Sequence, residues 1–226
     1  HINTHAEDVN FSFKFEENHM ITDKQIEEIK TTISSKWTRL AAEKKKFGDY
    51  RDGEGKRYDI AYLYAKIGYL NGAMRYFNWM EEEFPRDIGE PLFHFIWTVT
   101  LFENNNTEEA KRKAYKTTFS NTYLFDLLLG RNVEKIDKSE LIRFETLDFA
   151  RQIKDECLQY GTQRFFSWLR EFVDSMEYQE NLNTFIDLSK QVKHAEPGEK
   201  KRSLLAKERA FISSLSMNKK APAYIL

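Results

Sequence analysis

The chain is expected to be all-α, built from antiparallel helical hairpins, and three observations predict this. Apolar residues recur at three-to-four spacing along most of its length, the mark of helices that bury one face. Gly 9 and Pro 4 are few for 226 residues, which argues against the many turns of an all-β chain. Short breaks, Asn71-Gly72 and Asn104-Asn105-Asn106, interrupt the stripes at the spacing of helical hairpins.

Taken in order, residues 1–20 form an expected extended arm. Val9 to Phe15 alternates apolar and polar with period two, so Phe11, Phe13 and Phe15 share a face, ready to dock on the helical body or to pair with a second copy. Residues 21–48 form a long amphipathic helix. Thr22-Asp23-Lys24-Gln25 is a capping box, Ile26, Ile29, Ile33, Trp37, Leu40 and Ala41 make the stripe, and Gly48 ends it. The turn-rich segment 48–55 follows. Residues 54–180 form the hairpin region, with Thr107 capping the second arm of the second hairpin. A short helix over 121–129 stops at Gly130. Another starts at Asp137-Lys138-Ser139-Glu140, continues to Leu158, and breaks near Glu145. Thr162 caps a strongly apolar helix reaching Met176. Residues 181–226 hold a helix around Phe185–Val192, a last one over 199–217, and a tail.

The hairpin at 54–87 resembles a tetratricopeptide repeat, a two-helix unit of about 34 residues with large, small and turn residues at fixed offsets. Ile60, Ala61, Tyr64, Gly68, Ala73, Phe77, Met80 and Pro85 fall at those offsets. Gly68 suits the turn, Ala73 the closest helix approach, Tyr64 and Phe77 the space between hairpins, and Pro85 a helix stop. Arg57 stands where the pattern has Trp, and Met80 where it has Ala. The hairpin at 91–119 matches less well, with Ala110 its one good position, and extra residues near Asp87-Ile88-Gly89 must bulge between the two. Tyr123 to Gly130, with Trp168-Leu169 further on, is similar to a bacterial subset of these proteins. The resemblance implies a short right-handed superhelical stack, a bacterial, cytoplasmic, non-enzymatic adaptor, and a protein or peptide partner.

Composition narrows the classes. Lys and Arg total 35 against Asp and Glu 36, so no overall basic excess drives nucleic-acid binding. Cys157 is alone, which excludes an internal disulfide and any Cys-rich zinc site and fits a reducing compartment. No uncharged apolar run approaches the roughly 18 residues of a membrane span. The chain opens on His1, so its start says nothing about targeting.

Chemistry is hard to find. The five histidines are scattered with no His-Glu-x-x-His, and 49–54 lacks the alternating acids and closing Glu of a calcium loop, so no metal site is expected. Gly53-Glu54-Gly55-Lys56 lacks the Gly five residues earlier and the hydroxyl residue after Lys56 that a phosphate loop needs. No Gly-x-Ser-x-Gly is present, and Cys157 sits between acidic neighbours that would raise its pKa. Neither a catalytic residue nor a cofactor is expected.

Two surfaces remain. The first helix of each hairpin lines the concave face of such stacks. Carried over by resemblance, the groove positions are Tyr58, Tyr62 and Lys66, then Phe95, Val99 and Phe102. An apolar aromatic groove suits an amphipathic helix or an extended apolar segment, or the chain's own arm or C-terminal helix. The second surface is basic: Lys190, Lys193, Lys200, Lys201, Arg202, Lys207, Arg209, Lys219 and Lys220 outweigh Glu196, Glu199 and Glu208. It is either a solvated face or a nucleic-acid patch, the alternative role.

Overall fold

The computed structural model describes residues 21–50, 55–84 and 87–216. The expected arm over 1–20, residues 51–54, Pro85 and the tail from 217 lie outside the described residues. Among the described residues the chain is all-helical, with ten α-helices and no strand. This architecture is compatible with a helical-repeat fold.

Helix α1 (Asp23–Phe47) carries the expected capping box at Thr22 and Gln25, and Gly48 ends it in the left-handed region at φ 73°. Its Trp37 packs edge-on against Tyr76 and Trp79 of α3 (Leu70–Glu83). Helix α2 (Tyr58–Lys66) joins α3 through a turn at Ile67–Tyr69, where Gly68 takes φ 64°. The expected break at Asn71-Gly72 is therefore misplaced, because both residues lie inside α3. Phe77 stacks on Trp97 at 4.7 Å, holding α3 against α4 (Pro91–Glu103).

Helix α4 is the centre of the molecule. Every residue from Pro91 to Phe102 is buried, since α4 meets α2, α3, α5 (Thr107–Ser120), α7 (Leu147–Tyr160) and α8 (Gln163–Asp174). A helix apolar on all sides needs neighbours on all sides. The turn before α5 uses Asn105 at φ 59°. Asn106 holds the cap position and Thr107 is the first helical residue, so the helix starts one place earlier than expected.

After α6 (Leu124–Leu128) and Gly130, residues 131–142 are not helical, against the expectation of a helix start at Asp137. Tertiary partners take this backbone instead. Ser139 N–H donates to the Ser189 carbonyl at 3.1 Å, and Ile136 N–H to the Tyr123 hydroxyl at 3.2 Å. The expected break near Glu145 is a 3-10 turn over Arg143–Glu145, after which Thr146 caps α7. Thr162 caps α8 as expected, but α8 stops at Asp174 and Ser175 caps α9 (Met176–His194). The boundary expected between 180 and 181 thus falls inside α9. Helix α10 (Glu199–Ser216) closes the fold by packing on α5 and α9.

Candidate binding crevice

The six groove positions do not share one open surface. Phe95, Val99 and Phe102 are buried, which corrects the expectation for the second hairpin. Helix α8 covers Phe95 and Phe102: Phe165 meets Phe95 edge-on at 5.5 Å, and Trp168 stacks on Phe102 at 4.8 Å. Among the described residues the covering segment is not the C-terminal helix but the apolar helix just after the hairpins. Tyr58 and Tyr62 are partly buried and turn their hydroxyls inward. Tyr58 donates to Asp87 at 2.5 Å and Tyr62 donates to Glu90. Burial, with these carboxylates close by, pushes both phenols far above the ordinary tyrosine pKa. Lys66 alone is exposed, at the end of α2.

Next to these positions, at the turn end of the first hairpin, a crevice of about 30 Å³ opens between α2, α3, α4 and α7. That is room for the tip of a short aliphatic side chain, and not for a ring. Tyr64, Ala65 and Tyr69 line it from α2 and the turn, Val99, Thr100 and Glu103 from α4 and Tyr160 from α7, with the buried Ala73 and Ile96 at its base. Val99 is the one groove position that contributes.

The local sequence builds the tyrosine side. Gly72 is the residue that lets two rings lie against α3, because a Cβ there would fall 2.5 Å from the Tyr64 ring and 2.6 Å from the Tyr69 ring. Trp37 Nε1–H donates to the Tyr64 hydroxyl at 3.3 Å and fixes that ring from behind. Tyr69 is 41% exposed at the mouth, with Arg75 donating to its hydroxyl at 3.2 Å. Across the crevice, Glu103 is held by Arg164 at 3.0 Å and by the Thr162 hydroxyl. Its carboxylate is neutralised, yet retains lone pairs for a ligand N–H. Burial, helped by Glu156, pushes the Tyr160 phenol up to about 12, so it stays a neutral donor.

A second polar cluster lies between α4, α5 and the 87–90 loop, and it is structural in character. Burial holds His94 well below its usual pKa, so its ring is neutral; Nε2–H donates to the Ile88 carbonyl at 2.6 Å and Nδ1 has no partner. Gly89, at φ 69°, makes room: a Cβ would sit 2.4 Å from the ring. Lys113 is buried, stands 3.3 Å above the Trp97 ring centroid and pairs with Glu81. Burial, with Lys113 close by, lowers Lys116 to about 8. At Asp87, burial works to raise the carboxyl pKa, but hydrogen bonds from Arg57, Tyr58 and the Gly89 N–H outweigh it and hold the pKa below 3.8.

Cys157 is buried, and burial with Glu156 nearby pushes its thiol up, the opposite of an activated nucleophile. Among the described residues no three His, Cys, Asp or Glu side chains group as metal ligands, and no helix is long and apolar enough to cross a membrane. Of the basic positions, Lys200, Arg202 and Arg209 are exposed on α10, Lys201 is half-buried, and Lys193 pairs with Asp137.

Sequence reasoning missed Tyr69, Tyr160 and Glu103. The pairing of Gly68 with Gly72 beside Tyr64 and Tyr69 was a signal for the first. Tyr160 and Glu103 meet only through packing of distant segments and left none. Comparison with protein-family models, with curated proteins and with solved structures finds no match for this chain.

Proposed function

We propose that the chain is a non-enzymatic protein-interaction module, a short tetratricopeptide-like stack that takes an aliphatic anchor residue of a peptide or helix into the crevice beside Tyr69. One observation carries this reading: a tyrosine-lined crevice with alanine at its base, open at a partly exposed ring. Tyr69 gives a partner broad contact at low entropic cost, and Tyr160 and Glu103 offer a donor and an acceptor to an incoming backbone. The α2–α3 and α4–α5 hairpins support the repeat assignment, because each is closed by a short turn and Phe77 fills the space between them. The pattern also extends to the covered positions: where a longer stack would leave Phe95 and Phe102 for a ligand, α8 occupies them.

Ala65→Leu tests the reading by filling the crevice from its α2 side. Peptides selected from a random library on the wild-type chain should carry a Val, Leu or Ile anchor. They should bind Ala65→Leu at least tenfold more weakly, with circular dichroism and Tm unchanged. Selected peptides that bind both forms equally would show that the crevice is not the site.

A further inference from the structure

The terminal hairpin gathers several unpaired cations in one place. Elsewhere many cations sit on carboxylates, as in Lys36–Asp59 and Arg57–Asp87 at 2.8 Å and Lys44–Glu83 and Arg164–Glu103 at 3.0 Å, and exposed ones without an ion pair, such as Lys45, Lys66 and Arg170, are scattered over different helices. On α9 and α10, Lys190, Lys200, Arg202, Lys207 and Arg209 are exposed and make no ion pair among the described residues. Of the two acids within α10, Glu208 is turned inward, buried, and accepts from the Ser189 hydroxyl, while Glu199 is exposed at the helix start.

Their arrangement is ordered. Leu204, Glu208, Phe211 and Leu215 face the body of the protein. With 3.6 residues per turn, positions 200 and 207 then share one flank of the outer face and positions 202 and 209 the opposite flank. Between the flanks lie Ser203, Ala206 and Ala210, all exposed and all small, with the exposed Glu199 on the same line at the helix start. Each flank places its two cations about 10 Å apart along the axis. No bulky apolar side chain stands on this face, so it has nothing to insert into a bilayer and no aromatic anchor for a protein partner. Two rows of cations around a low ridge match a surface with two rows of anions around a trough. That is the groove of a nucleic-acid duplex, and a DNA major groove about 12 Å wide admits one helix.

We infer that the outer face of α10 docks in the groove of double-stranded DNA, Lys200 and Lys207 meeting the phosphates of one strand and Arg202 and Arg209 those of the other. The contacts are to the backbone, so the face reads shape and charge and carries little sequence preference. The inference is independent of the crevice, which lies at the far hairpin.

The test is anisotropy of a short labelled DNA duplex with the full chain, across a salt series. Four phosphate contacts give a slope of log K against log salt of about −3.6. The double variant Arg202→Glu/Arg209→Glu should bind at least tenfold more weakly with a slope near −1.8, while Arg170→Glu on α8 binds as the wild type does. Circular dichroism should show all three forms equally folded. The inference is overturned by no duplex binding at low salt, by equal binding of the double variant, or by an equal loss in Arg170→Glu. Polyglutamate or phosphatidylserine vesicles competing as well as unlabelled duplex would overturn it too, reducing the face to a general polyanion surface.

Discussion

The centre of the molecule and its terminal hairpin are both helical, yet they are held by different means. Around α4, rings lock rings: Phe77 on Trp97, Phe165 on Phe95, Trp168 on Phe102. Two cations there are paired internally, Arg57 with Asp87 and Lys113 with Glu81. The α9–α10 hairpin contributes few rings, chiefly Tyr178, Phe185 and Phe211, and leaves most of its cations to solvent. The contrast separates residues that hold the fold from residues that the fold merely displays. A side chain whose partners all lie within the chain is committed to stability, and one without partners is available for something else.

Substitutions can break this contrast. The largest effect is expected from Phe165→Ala. That ring is fully buried and touches Phe95, Phe102, Phe166 and Trp168, so its loss should cost about 3–5 kcal/mol in denaturant unfolding. A cost under about 1 kcal/mol would mean that α8 is not part of the core.

Arg57→Ala comes next. It removes a half-buried partner of Asp87 and the guanidinium over the Tyr58 and Phe84 rings, for about 2–3 kcal/mol. The sign of its pH dependence is fixed. The folded pKa of Asp87 is lowered below 3.8, so its contribution is present above that value and is lost as pH falls through the folded pKa. Wild type and variant should therefore converge in Tm on acidification below about pH 4.

A smaller effect of opposite sign is expected from Lys116. Its folded pKa lies near 8 against 10.5 unfolded, so the wild type should gain stability as pH rises from 8 to 10.5. Lys116→Met should raise Tm by roughly 2–4 °C at pH 7, with the gain fading by pH 10. The smallest is Arg202→Ala, which should leave stability within about 0.5 kcal/mol, a nil result that sharpens the contrast with Arg57.

The legible parts of this chain are those fixed by neighbours in sequence. Thr22 with Gln25, Gly48 and Thr162 marked helix ends correctly, because caps are local hydrogen bonds. Gly72 misled because a glycine needed for ring approach and a glycine needed for a turn look alike; only the packing of Tyr64 and Tyr69 tells them apart. Asp137–Glu140 has the composition of a helix start, but Tyr123 and Ser189 claim the nearby backbone from far along the chain. The groove positions of the first helices lie on the expected elements, and cover by the chain itself was among the expectations, but α8 was not the segment expected to supply it. Nothing in α4 itself announces that Phe165 and Trp168, more than sixty residues on, will lie over it.

The complete burial of α4 has a consequence for how the molecule comes apart. In an open array of repeats each unit touches only its neighbours, so ends can fray and units can be added or removed. Here one helix is shared by five others, and none of those five can leave without exposing it to water. Cooperativity is thereby concentrated in a single element. The amides of α4 are expected to exchange with solvent only when the whole chain unfolds, while α1 and α10, at the edges, open on their own. A length of chain that looks modular along its sequence is, in its unfolding, one indivisible unit with two loose ends.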